Sequence, residues 1–236
     1  MNISLVIPAH NEEKYIGACL AAAIKHSHGL LFEILVVNNQ SNDRTEEIAL
    51  TFPNVRVVSE PQKGLVFTRQ RGFLEARGDI LAYIDADTLM PEGWCEQIHK
   101  EFENNPRLAL LSGPYSYFDV SAFQNLLVRL YYITSIPVYW LVGYMATGGN
   151  FAIRKDVLVK MKGFDTTISF YGEDTNIARR AHEFGKVKFK QGFTMATSGR
   201  RFAEQGFLST AYTYVINFFS EVIRHRPATK EYNDFR

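Results

Sequence analysis

Short apolar runs alternate with longer mixed runs through the first third of the chain. The apolar runs are bounded by residues such as Gly, Pro, Asn and Asp, which is typical of strands buried in a sheet. They predict strands over Ile3–Pro8, Phe32–Val37, Val55–Val58 and Ile80–Ile84. The mixed runs predict helices over Asn11–Lys25, Asp43–Phe52 and Leu65–Ala76, the first opened by Asn11 with Glu12 and Glu13 in its first turn. This order favours a mainly parallel, doubly wound α/β sheet.

Two aspartates follow the last of these strands. Ile80–Ile84 leads directly into Asp85 and Asp87, with one residue between the carboxylates. In an open parallel sheet, ligands bind beyond the carboxyl ends of the strands, so both side chains are expected in such a crevice. Mg²⁺ typically takes one or two carboxylates together with substrate phosphates. The pair is therefore a candidate metal and phosphate site; the alternative is a solvated turn that caps the helix beginning at Pro91.

Three polar loops come at the ends of the other predicted strands. They are Pro8–Glu12, Asn38–Thr45 and Pro61–Gly64. In a doubly wound sheet the first two loops adjoin and face the aspartate pair. Asn39 could form hydrogen bonds with the edge of a base. Lys63, Arg69 or Arg71 could bind phosphates or the base. Each also has an ordinary interpretation, as a turn former for Asn39 and as part of a solvated helix face for the arginines.

The second half of the chain carries two further polar segments. Thr147–Asn150 (TGGN) has two glycines beside a polar residue, which allows either close backbone approach to a ligand or a plain tight turn. Glu173 and Asp174 come immediately before a helical run over Thr175–Phe184, where the helix dipole also favours carboxylates. A carboxylate there becomes a useful general base if burial or a neighbouring carboxylate raises its pKa.

The composition is that of a folded globular protein without a general attraction to nucleic acid. The 236 residues are enough for a sizeable core, and 26 basic residues nearly balance 25 acidic ones. The two cysteines, Cys19 and Cys95, have no metal-ligand spacing, which favours a reducing cytoplasm over a disulfide scaffold. The N-terminus predicts a strand rather than a signal peptide. No GxGxxG or GxxxxGKS/T motif occurs, which argues against dinucleotide dehydrogenases and P-loop NTPases.

An ordered series of short motifs resembles the family 2 glycosyltransferases. The motifs are IPAHNEE at Ile7–Glu13, VVNNQSNDRT at Val36–Thr45, KG before an arginine-bearing helix, IDAD, GGN, and GED at Gly172–Asp174. The resemblance implies a single GT-A domain, a nucleotide-diphosphate sugar donor, Mg²⁺ or Mn²⁺ as cofactor, and transfer with inversion. Within that domain we expect residues 1–113 to bind the nucleotide, residues 114–200 to face the acceptor, and residues 201–236 to form a helical segment that could face a membrane.

The resemblance also implies roles for individual residues. It assigns substrate contacts to Pro8, Ala9, His10, Glu12, Asn39, Lys63, Asp85, Ala86, Gly149, Asn150 and Glu173. The first six would meet the nucleoside, the next two the ribose and diphosphate, and the last three the region between donor and acceptor. Asp87 would hold the metal, which stabilises the departing diphosphate. Asp174 would act as the base that takes the proton of the acceptor hydroxyl.

Two features depart from the usual pattern of that family. Asn39 stands where many members have an aspartate that accepts a uracil N–H, so the nucleotide base stays open. The QxxRW motif of processive members is missing after Asp174, which favours transfer of a single sugar. Arg200 and Arg201 instead follow a TSG turn, where they could bind a diphosphate of the donor or acceptor or lie on the surface.

Two apolar segments raise the question of membrane contact. Leu130–Ile153 has no charged residue, but Pro137, Gly143 and the TGGN turn interrupt it, so we expect no membrane-spanning helix there. Its aromatic residues, and those that Phe207–Arg226 combines with arginines, are typical of segments at a membrane interface. Burial in the protein core is the alternative. We expect a cytoplasmic protein, which interfacial contact would make peripheral at the inner face of the membrane. Such contact would also favour a lipid-linked acceptor over a sugar or polyol.

Two other classes of function fit parts of the pattern. A catalytically inactive module that binds nucleotide sugars would keep Asp87 but tolerate the loss of Asp174, which is present. A phosphatase resembling the haloacid dehalogenases also has two aspartates after a strand, but Thr or Val then stands where this chain has Leu89. We therefore expect an inverting, metal-dependent glycosyltransferase that contributes to cell-envelope or glycolipid biosynthesis.

Overall fold

The computed structural model describes residues 1–229, except for the side chain of Leu208. Within these residues the strands are β1 (Ile3–Ala9), β2 (Leu31–Asn38), β3 (Val55–Ser59), β4 (Ile80–Ile84), β5 (Thr88–Leu89), β6 (Leu108–Ser112), β7 (Tyr115–Tyr117), β8 (Asn150–Arg154), β9 (Lys186–Phe189) and β10 (Met195–Thr197). The helices are α1 (Ile16–His26), α2 (Thr45–Leu50), α3 (Leu65–Glu75), α4 (Trp94–Asn104), α5 (Ala122–Thr134), α6 (Ile136–Val142), α7 (Lys155–Lys160), α8 (Glu173–His182), α9 (Arg200–Gln205) and α10 (Phe207–Arg224). The predicted alternation of strands and helices up to β4 is confirmed.

The central sheet has the strand order β3-β2-β1-β4-β8-β6-β9. β1 lies parallel to both β2 and β4, so that Leu5 pairs with Ile34 on one side and Ala82 on the other. β8 is antiparallel to its neighbours β4 and β6, whereas β9 is parallel to β6. The described chain is therefore the single α/β domain with a mostly parallel sheet that the sequence predicts.

Helices cover both faces of this sheet because its strands are apolar on both sides. Along β1, Leu5 and Ile7 pack with α1, α2 and α4 in one core cluster. The intervening Val6 packs with α3, α7 and α8 in a second cluster. Burial on both faces gives the continuous apolar runs from which the strands were predicted, in place of an apolar and polar alternation. The core therefore has two layers, one on each side of the sheet.

The first helix begins later than predicted. α1 starts at Ile16, whereas Asn11 has a left-handed backbone with φ of 52° and lies in the preceding loop. Its side-chain oxygen accepts a hydrogen bond from the Asn42 backbone N–H at 2.8 Å, so it joins two loops and does not cap a helix. Glu12 and Glu13 consequently lie in the loop. α8 begins two residues earlier than predicted, which places Glu173 and Asp174 in its first turn.

A smaller sheet of order β5-β10-β7 lies beside the main one, and α5, in which the long uncharged segment begins, contacts its strand β7. That segment is divided as predicted: Pro137 lies at the start of α6, and Gly143, with φ of 85°, ends it. Among residues 1–229, none of the helices combines the length and the apolar character needed to cross a bilayer. Of the predicted C-terminal segment 201–236, residues 230–236 lie outside the described residues.

Candidate functional site

Polar side chains gather at the carboxyl ends of β1 and β4, where the chain connections diverge to opposite sides of the sheet. Two adjoining cavities open there, with volumes of about 90 Å³ and about 250 Å³. Asp85 and Tyr115 line both cavities. Asp87 lines the smaller cavity, whereas Glu173 and Asp174 line the larger one. The two acidic motifs therefore border one continuous cleft.

Asp85 is held by two side chains at the boundary of the cavities. Arg69 Nη2 donates a hydrogen bond to Oδ1 at 3.1 Å, and the Tyr115 hydroxyl donates one to Oδ2 at 2.9 Å. Gly149 packs against the same group, since a Cβ atom at this residue would overlap both Asp85 Oδ2 and the Tyr115 hydroxyl. Glycine leaves room for this close approach of the backbone. The TGGN segment therefore lies directly against the first aspartate.

Asp87 presents its carboxylate to Arg200. Nη2 of Arg200 lies 3.0 Å from Oδ2, and the Thr197 hydroxyl donates to Oδ1 at 3.4 Å. The position beside Oδ2 thus accepts positive charge, and carboxylate oxygens are ligands that suit Mg²⁺ and Mn²⁺. The described residues include no group of three or more His, Cys, Asp or Glu side chains able to hold a metal, so a bound molecule or water would complete the coordination. The residues at Asp87 therefore fit a divalent metal whose remaining ligands come from a bound molecule or water.

Arg200 also joins Asp87 to the loop after β1. Its Nη1 and Nη2 donate to the two carboxylate oxygens of the buried Glu12 at 2.9 and 2.5 Å, which is a bidentate pair. The guanidinium lies over the ring of Tyr15, 5.1 Å from its centroid. Burial lowers the pKa of Arg200, but the hydrogen bonds to Glu12 and the charge of Asp87 outweigh it and raise the pKa above its ordinary value. Arg200 is therefore a permanent cation in the smaller cavity.

Arg69 connects Asp85 to the first turn of α8. Its side chain is 1% exposed, and Nη1 donates to Glu173 Oε2. Glu173 Oε1 is buried and has no hydrogen-bond partner among the described residues. Burial raises the pKa of Glu173 to about 7, the charge of Arg69 opposes this rise, and the charges of Asp174 and Asp85 add to it. Because burial disfavours the charged form, and one guanidinium faces three carboxylates here, the pKa of Glu173 lies near neutral pH.

Asp174 lies partly buried at the wall of the larger cavity. Its Oδ1 accepts hydrogen bonds from the backbone N–H of Thr175 at 2.8 Å and from the Thr175 hydroxyl at 3.4 Å. Burial raises the pKa of Asp174 above its ordinary value, while these hydrogen bonds and the charge of Arg69 lower it. A carboxylate with a raised pKa is a stronger base at neutral pH. Asp174 is therefore suited to accept a proton from a molecule in the larger cavity.

Aromatic side chains form much of the remaining wall of the larger cavity. They are Tyr115, Tyr117, Tyr131, Tyr132, Phe170, Tyr171, Phe202, Phe207, Tyr214 and Phe218. Arg201 lies among them, with its guanidinium 4.5 Å from the ring centroid of Phe170 and its Nη1 donating to the Tyr214 hydroxyl at 2.9 Å. A mainly apolar wall with a few convergent polar groups is typical of a small-molecule site.

The predicted nucleoside contacts divide into two groups. Pro8 and Glu12 line the smaller cavity, together with Ala86, which was expected near the ribose and diphosphate. Ala9 is buried, and its carbonyl accepts from the Asn39 backbone N–H at 2.8 Å. His10 Nδ1 lies 2.6 Å from the Asn39 carbonyl oxygen, so this nitrogen carries the proton. The loop after β1 is thereby tied to the end of β2.

The Asn39 side chain was predicted to contact a nucleotide base, but it bonds to backbone groups of the protein instead. Its side chain is buried, the amide N–H₂ donates to the carbonyls of Glu60 and Gln62 at 2.9 and 2.7 Å, and Oδ1 accepts from the Gly64 N–H at 2.8 Å. These bonds use the hydrogen-bonding capacity of the amide to shape the loop after β3. Lys63 is an exposed residue of that loop and lines neither of the two cavities.

Asn150 and Arg69 also differ from expectation, whereas Arg71 follows its ordinary interpretation as part of a helix face. The Asn150 side chain points into the core, where Oδ1 accepts from Trp94 Nε1 at 3.0 Å and Nδ2 donates to the Pro114 and Phe193 carbonyls at 3.1 and 2.7 Å. It therefore braces β8 instead of lining the cleft. Arg71 pairs with Glu75 one turn along α3, at 2.9 Å. Arg69 belongs to the site, but as a buried bridge and not as part of a solvated helix face.

Tyr115 and Thr197 are the site residues that the sequence did not indicate. Each belongs to the smaller sheet, which brings Tyr115 to Asp85 and Thr197 to Asp87. Tyr115 lies in a YSY segment, and Thr197 begins the TSG turn. The TSG turn that drew attention to Arg200 was the only available signal for Thr197, whereas nothing in the spacing points to Tyr115.

Comparison with known proteins places most of the chain in one group. Residues 4–161 match the family described as Glycosyl transferase family 2. Probable glycosyltransferase YdaM of Bacillus subtilis (strain 168) is 29% identical over 205 residues, which are 78% of this chain and 47% of that protein. Dolichol-phosphate mannosyltransferase of Pyrococcus furiosus is 30% identical over 114 residues, which are 47% of this chain and 32% of that protein. The matched chain thus spans about half the length of YdaM and less of the archaeal protein.

Solved structures share the fold over nearly the whole chain. A mannosyltransferase from Pyrobaculum calidifontis, solved with GDP-Man and Mn²⁺, superposes with a TM-score of 0.71 at 18% identity, over 94% of this chain and 64% of that chain. Glucosyl-3-phosphoglycerate synthase from Mycobacterium tuberculosis, solved with Mn²⁺, UDP-Glc and phosphoglyceric acid, gives 0.66 at 20% identity, over 94% and 79%. At these identities the likeness shows the fold, which is the one expected from the sequence.

Proposed function

The chain belongs to glycosyl transferase family 2, and on that basis we propose that it transfers one sugar from a nucleoside-diphosphate donor to an acceptor hydroxyl, with inversion at the anomeric carbon. The observation that carries this proposal is the shared cleft. Asp85 and Asp87 at the end of β4 line one side of it, and Asp174 at the start of α8 lines the other. A donor diphosphate and an acceptor hydroxyl would therefore meet between the two acidic motifs.

The smaller cavity suits the donor, and its lining combines residues before position 113 with residues after it. Asp87 would hold Mg²⁺ or Mn²⁺, and the bound metal would supply positive charge against the negative charge that builds up on the departing diphosphate. Pro8 and Ala86 line the same cavity and would border the nucleoside. Asp85, fixed by Arg69 and Tyr115, would orient the donor at the boundary of the two cavities. Two structural neighbours solved with a nucleotide sugar and Mn²⁺ support this arrangement.

The larger cavity suits the acceptor and its base. Asp174 would take the proton of the acceptor hydroxyl while that oxygen attacks the anomeric carbon and the bond to the diphosphate breaks. One displacement from the face opposite the leaving group inverts the configuration, and no second nucleophilic carboxylate is needed. Because burial raises the pKa of Glu173 to about 7, Glu173 can hold a proton near neutral pH, and it would then leave Asp174 as the charged member of the pair.

A lipid-linked acceptor fits the surroundings of this cavity better than a free sugar or polyol does. The helices whose inner residues line the cavity, α5 and α10, carry exposed apolar side chains. So does α6, which contacts α5. These side chains, which we call the apolar face, are Phe123, Leu126, Leu130, Ile133, Trp140, Leu141, Tyr212, Val215, Ile216, Phe219 and Ile223. Exposed arginines accompany them at Arg129, Arg224 and Arg226. This combination is typical of peripheral contact with a membrane, where the product would enter glycolipid or envelope synthesis.

Thermal unfolding tests the donor site. UDP, GDP and their sugar conjugates are added with and without Mn²⁺ to the wild-type protein and to Asp87→Ala. We expect one nucleotide to raise Tm in a Mn²⁺-dependent manner, because a ligand at about 100 times its Kd stabilises the folded state by about 2.7 kcal/mol. The shift should be lost in Asp87→Ala. An unchanged Tm of the wild-type protein with every nucleotide would contradict the proposed function.

Turnover tests the base. Asp174→Asn keeps the size and the polar contacts of the side chain, so the nucleotide-dependent Tm shift should remain. Transfer should fall by about 10² to 10⁴, the range that general base catalysis contributes. Near wild-type transfer by a folded Asp174→Asn variant would exclude Asp174 as the base. A protein that only binds nucleotide sugars would show the Tm shift without transfer in the wild type.

A further inference from the structure

Arg200 places a positive charge next to Asp87, the candidate metal ligand. Its Nη2 is 3.0 Å from Asp87 Oδ2, while the same guanidinium holds both oxygens of Glu12. The carboxylates of Glu12 and Asp87 are only 2% and 12% exposed, so water screens these charges weakly. A divalent ion bound at Asp87 would therefore meet Arg200 at short range.

The backbone that carries Arg200 is anchored independently of this pair. The Ser198 hydroxyl and the Gly199 N–H both donate to the Asp119 carboxylate at 2.5 Å. The Ser198 N–H donates to the Asp87 carbonyl at 3.2 Å. With the turn held in this way, Arg200 would leave Asp87 by rotation of its side chain, without displacement of the loop.

We propose that Arg200 occupies the cation position at Asp87 in the nucleotide-free protein and competes with the divalent metal until a nucleoside diphosphate draws it away. This inference rests on the proposed function, because the diphosphate is the partner that takes over the guanidinium. A planar guanidinium binds phosphate oxygens in the same bidentate manner as a carboxylate. Arg200 lines the same cavity as Asp85 and Asp87, where the diphosphate would lie.

The arrangement couples metal binding to nucleotide binding. In the absence of nucleotide, the metal binds only by separating Arg200 from Asp87 and by bringing two cations close together. A bound diphosphate offers Arg200 another anion and offers the metal further oxygen ligands. Each ligand then raises the affinity of the site for the other, as linkage requires. Removing the guanidinium should strengthen the binding of metal alone and weaken this coupling.

Mn²⁺ binding to the intact chain, measured from the EPR signal of free Mn²⁺, tests the inference directly. Titrations are made on the wild-type protein and on Arg200→Gln, first with Mn²⁺ alone and then with saturating UDP or GDP. We expect Arg200→Gln to bind Mn²⁺ alone at least about tenfold more tightly than the wild type, and its nucleotide-dependent gain in Mn²⁺ affinity to be at least about fivefold smaller, within the usual range of coupling. Arg200→Met, which keeps an aliphatic side chain without the charge, replaces this variant if it does not fold.

Two control variants separate the ion pair from a general effect of charge. Arg201→Gln removes the same charge at the next residue, whose guanidinium lies over Phe170. Arg200→Lys keeps a cation beside Asp87. Arg200→Lys should bind Mn²⁺ alone within about threefold of the wild type, because it retains a cation beside Asp87. Arg201→Gln should do the same, because the Arg201 guanidinium lies over Phe170 and donates to the Tyr214 hydroxyl.

The outcomes distinguish this inference from the function on which it rests. If Arg200→Gln binds Mn²⁺ alone no more tightly than the wild type while nucleotide binding persists, the competition is refuted and the proposed function stands. An equal gain in Arg201→Gln would also refute it, by showing a general charge effect. If the wild-type protein binds Mn²⁺ neither alone nor with UDP or GDP, both proposals fail.

Discussion

Gly149 is the residue whose size fixes the distance between the TGGN segment and Asp85. A Cβ atom there would overlap the Tyr115 hydroxyl and the Asp85 carboxylate. Gly149→Ala should therefore lower the free energy of unfolding by about 1 to 3 kcal/mol, the usual cost of overpacking. It should also weaken nucleotide binding, because Asp85 has to move. Urea unfolding and the nucleotide-dependent Tm shift measure the two effects.

Gly192 is the matched control for this substitution. A Cβ atom at Gly192 would meet nothing within 4 Å among the described residues beyond its chain neighbours, and its backbone is not left-handed. Gly192→Ala should change the free energy of unfolding by no more than about 0.5 kcal/mol and leave nucleotide binding unchanged. Equal effects of the two substitutions would show that the close approach at Gly149 has no special importance.

Single residues show where sequence reasoning about the site succeeds and where it stops. Asp85 and Asp87 were found because their position depends on one strand, and a buried apolar run identifies that strand. Asn39 and Asn150 also follow or begin strands, but their amides bond to carbonyls more than twenty residues away along the chain. An amide with backbone partners and an amide that faces a ligand look the same in the sequence. The fold decides between them.

Helices α3 and α8 are joined to the end of β4 by the buried Arg69. Glu173, with a pKa raised to about 7 by burial, binds more protons in the folded protein than in the unfolded chain between about pH 4.5 and 7. Its contribution therefore makes the protein less stable as the pH rises through this range. Glu173→Gln removes that titration. Urea unfolding at pH 5 and pH 8 measures this effect. From pH 5 to pH 8, the free energy of unfolding of the wild type should fall by about 1 kcal/mol or more relative to that of Glu173→Gln.

Glu47 on α2 provides a control with the opposite sign. It is exposed, and its hydrogen bond and ion pair with Arg44 lower its pKa. Its contribution is present at neutral pH and is lost as the pH falls through its folded-state pKa. From pH 5 to pH 8, the free energy of unfolding of Glu47→Gln should therefore not rise relative to that of the wild type. If wild type and Glu173→Gln respond identically to pH, Glu173 does not titrate in this range.

The elements were predicted most accurately where burial alone determines them. Each of the first four strands agrees with its prediction to within one residue at either end. The start of α1 was missed because Asn11 and two following glutamates resemble a helix N-terminus, whereas Asn11 bonds to Asn42 in the next loop. That contact joins the loops that follow the neighbouring strands β1 and β2. It has no signal within the local sequence.

Across the whole molecule, the cleft depends on contacts between distant parts of the chain. Arg69 and Glu173 are separated by 104 residues, and Glu12 and Arg200 by 188. The motif order indicated which acidic residues gather in the cleft, because that order follows the topology of the sheet. It did not indicate the two arginines as their fixed counter-charges. Charge pairing of this kind depends on where the second half of the chain returns across the sheet.

The apolar face is the property of the whole molecule that most directly bears on the acceptor. Trp140 and Leu141 are 75% and 87% exposed, so changing both to Ser removes apolar surface without opening a cavity. We expect the wild-type protein to sediment with vesicles containing phosphatidylglycerol, and the double variant to bind at least about fivefold less, because interfacial binding scales with buried apolar area. Pure phosphatidylcholine vesicles should bind less wild-type protein, since Arg129, Arg224 and Arg226 favour anionic lipid.

Leu74 on α3 is a matched control, because it is 65% exposed and lies outside the apolar face. Leu74→Ser should leave vesicle binding at the wild-type level. Equal loss in Leu74→Ser and in the Trp140 and Leu141 variant would show that general hydrophobicity, and not this surface, governs binding. Wild-type protein that stays in the supernatant with both kinds of vesicle would remove the support for a lipid-linked acceptor. The aromatic wall of the larger cavity would then be better matched to the ring of a soluble sugar, and transfer assays should turn to such acceptors.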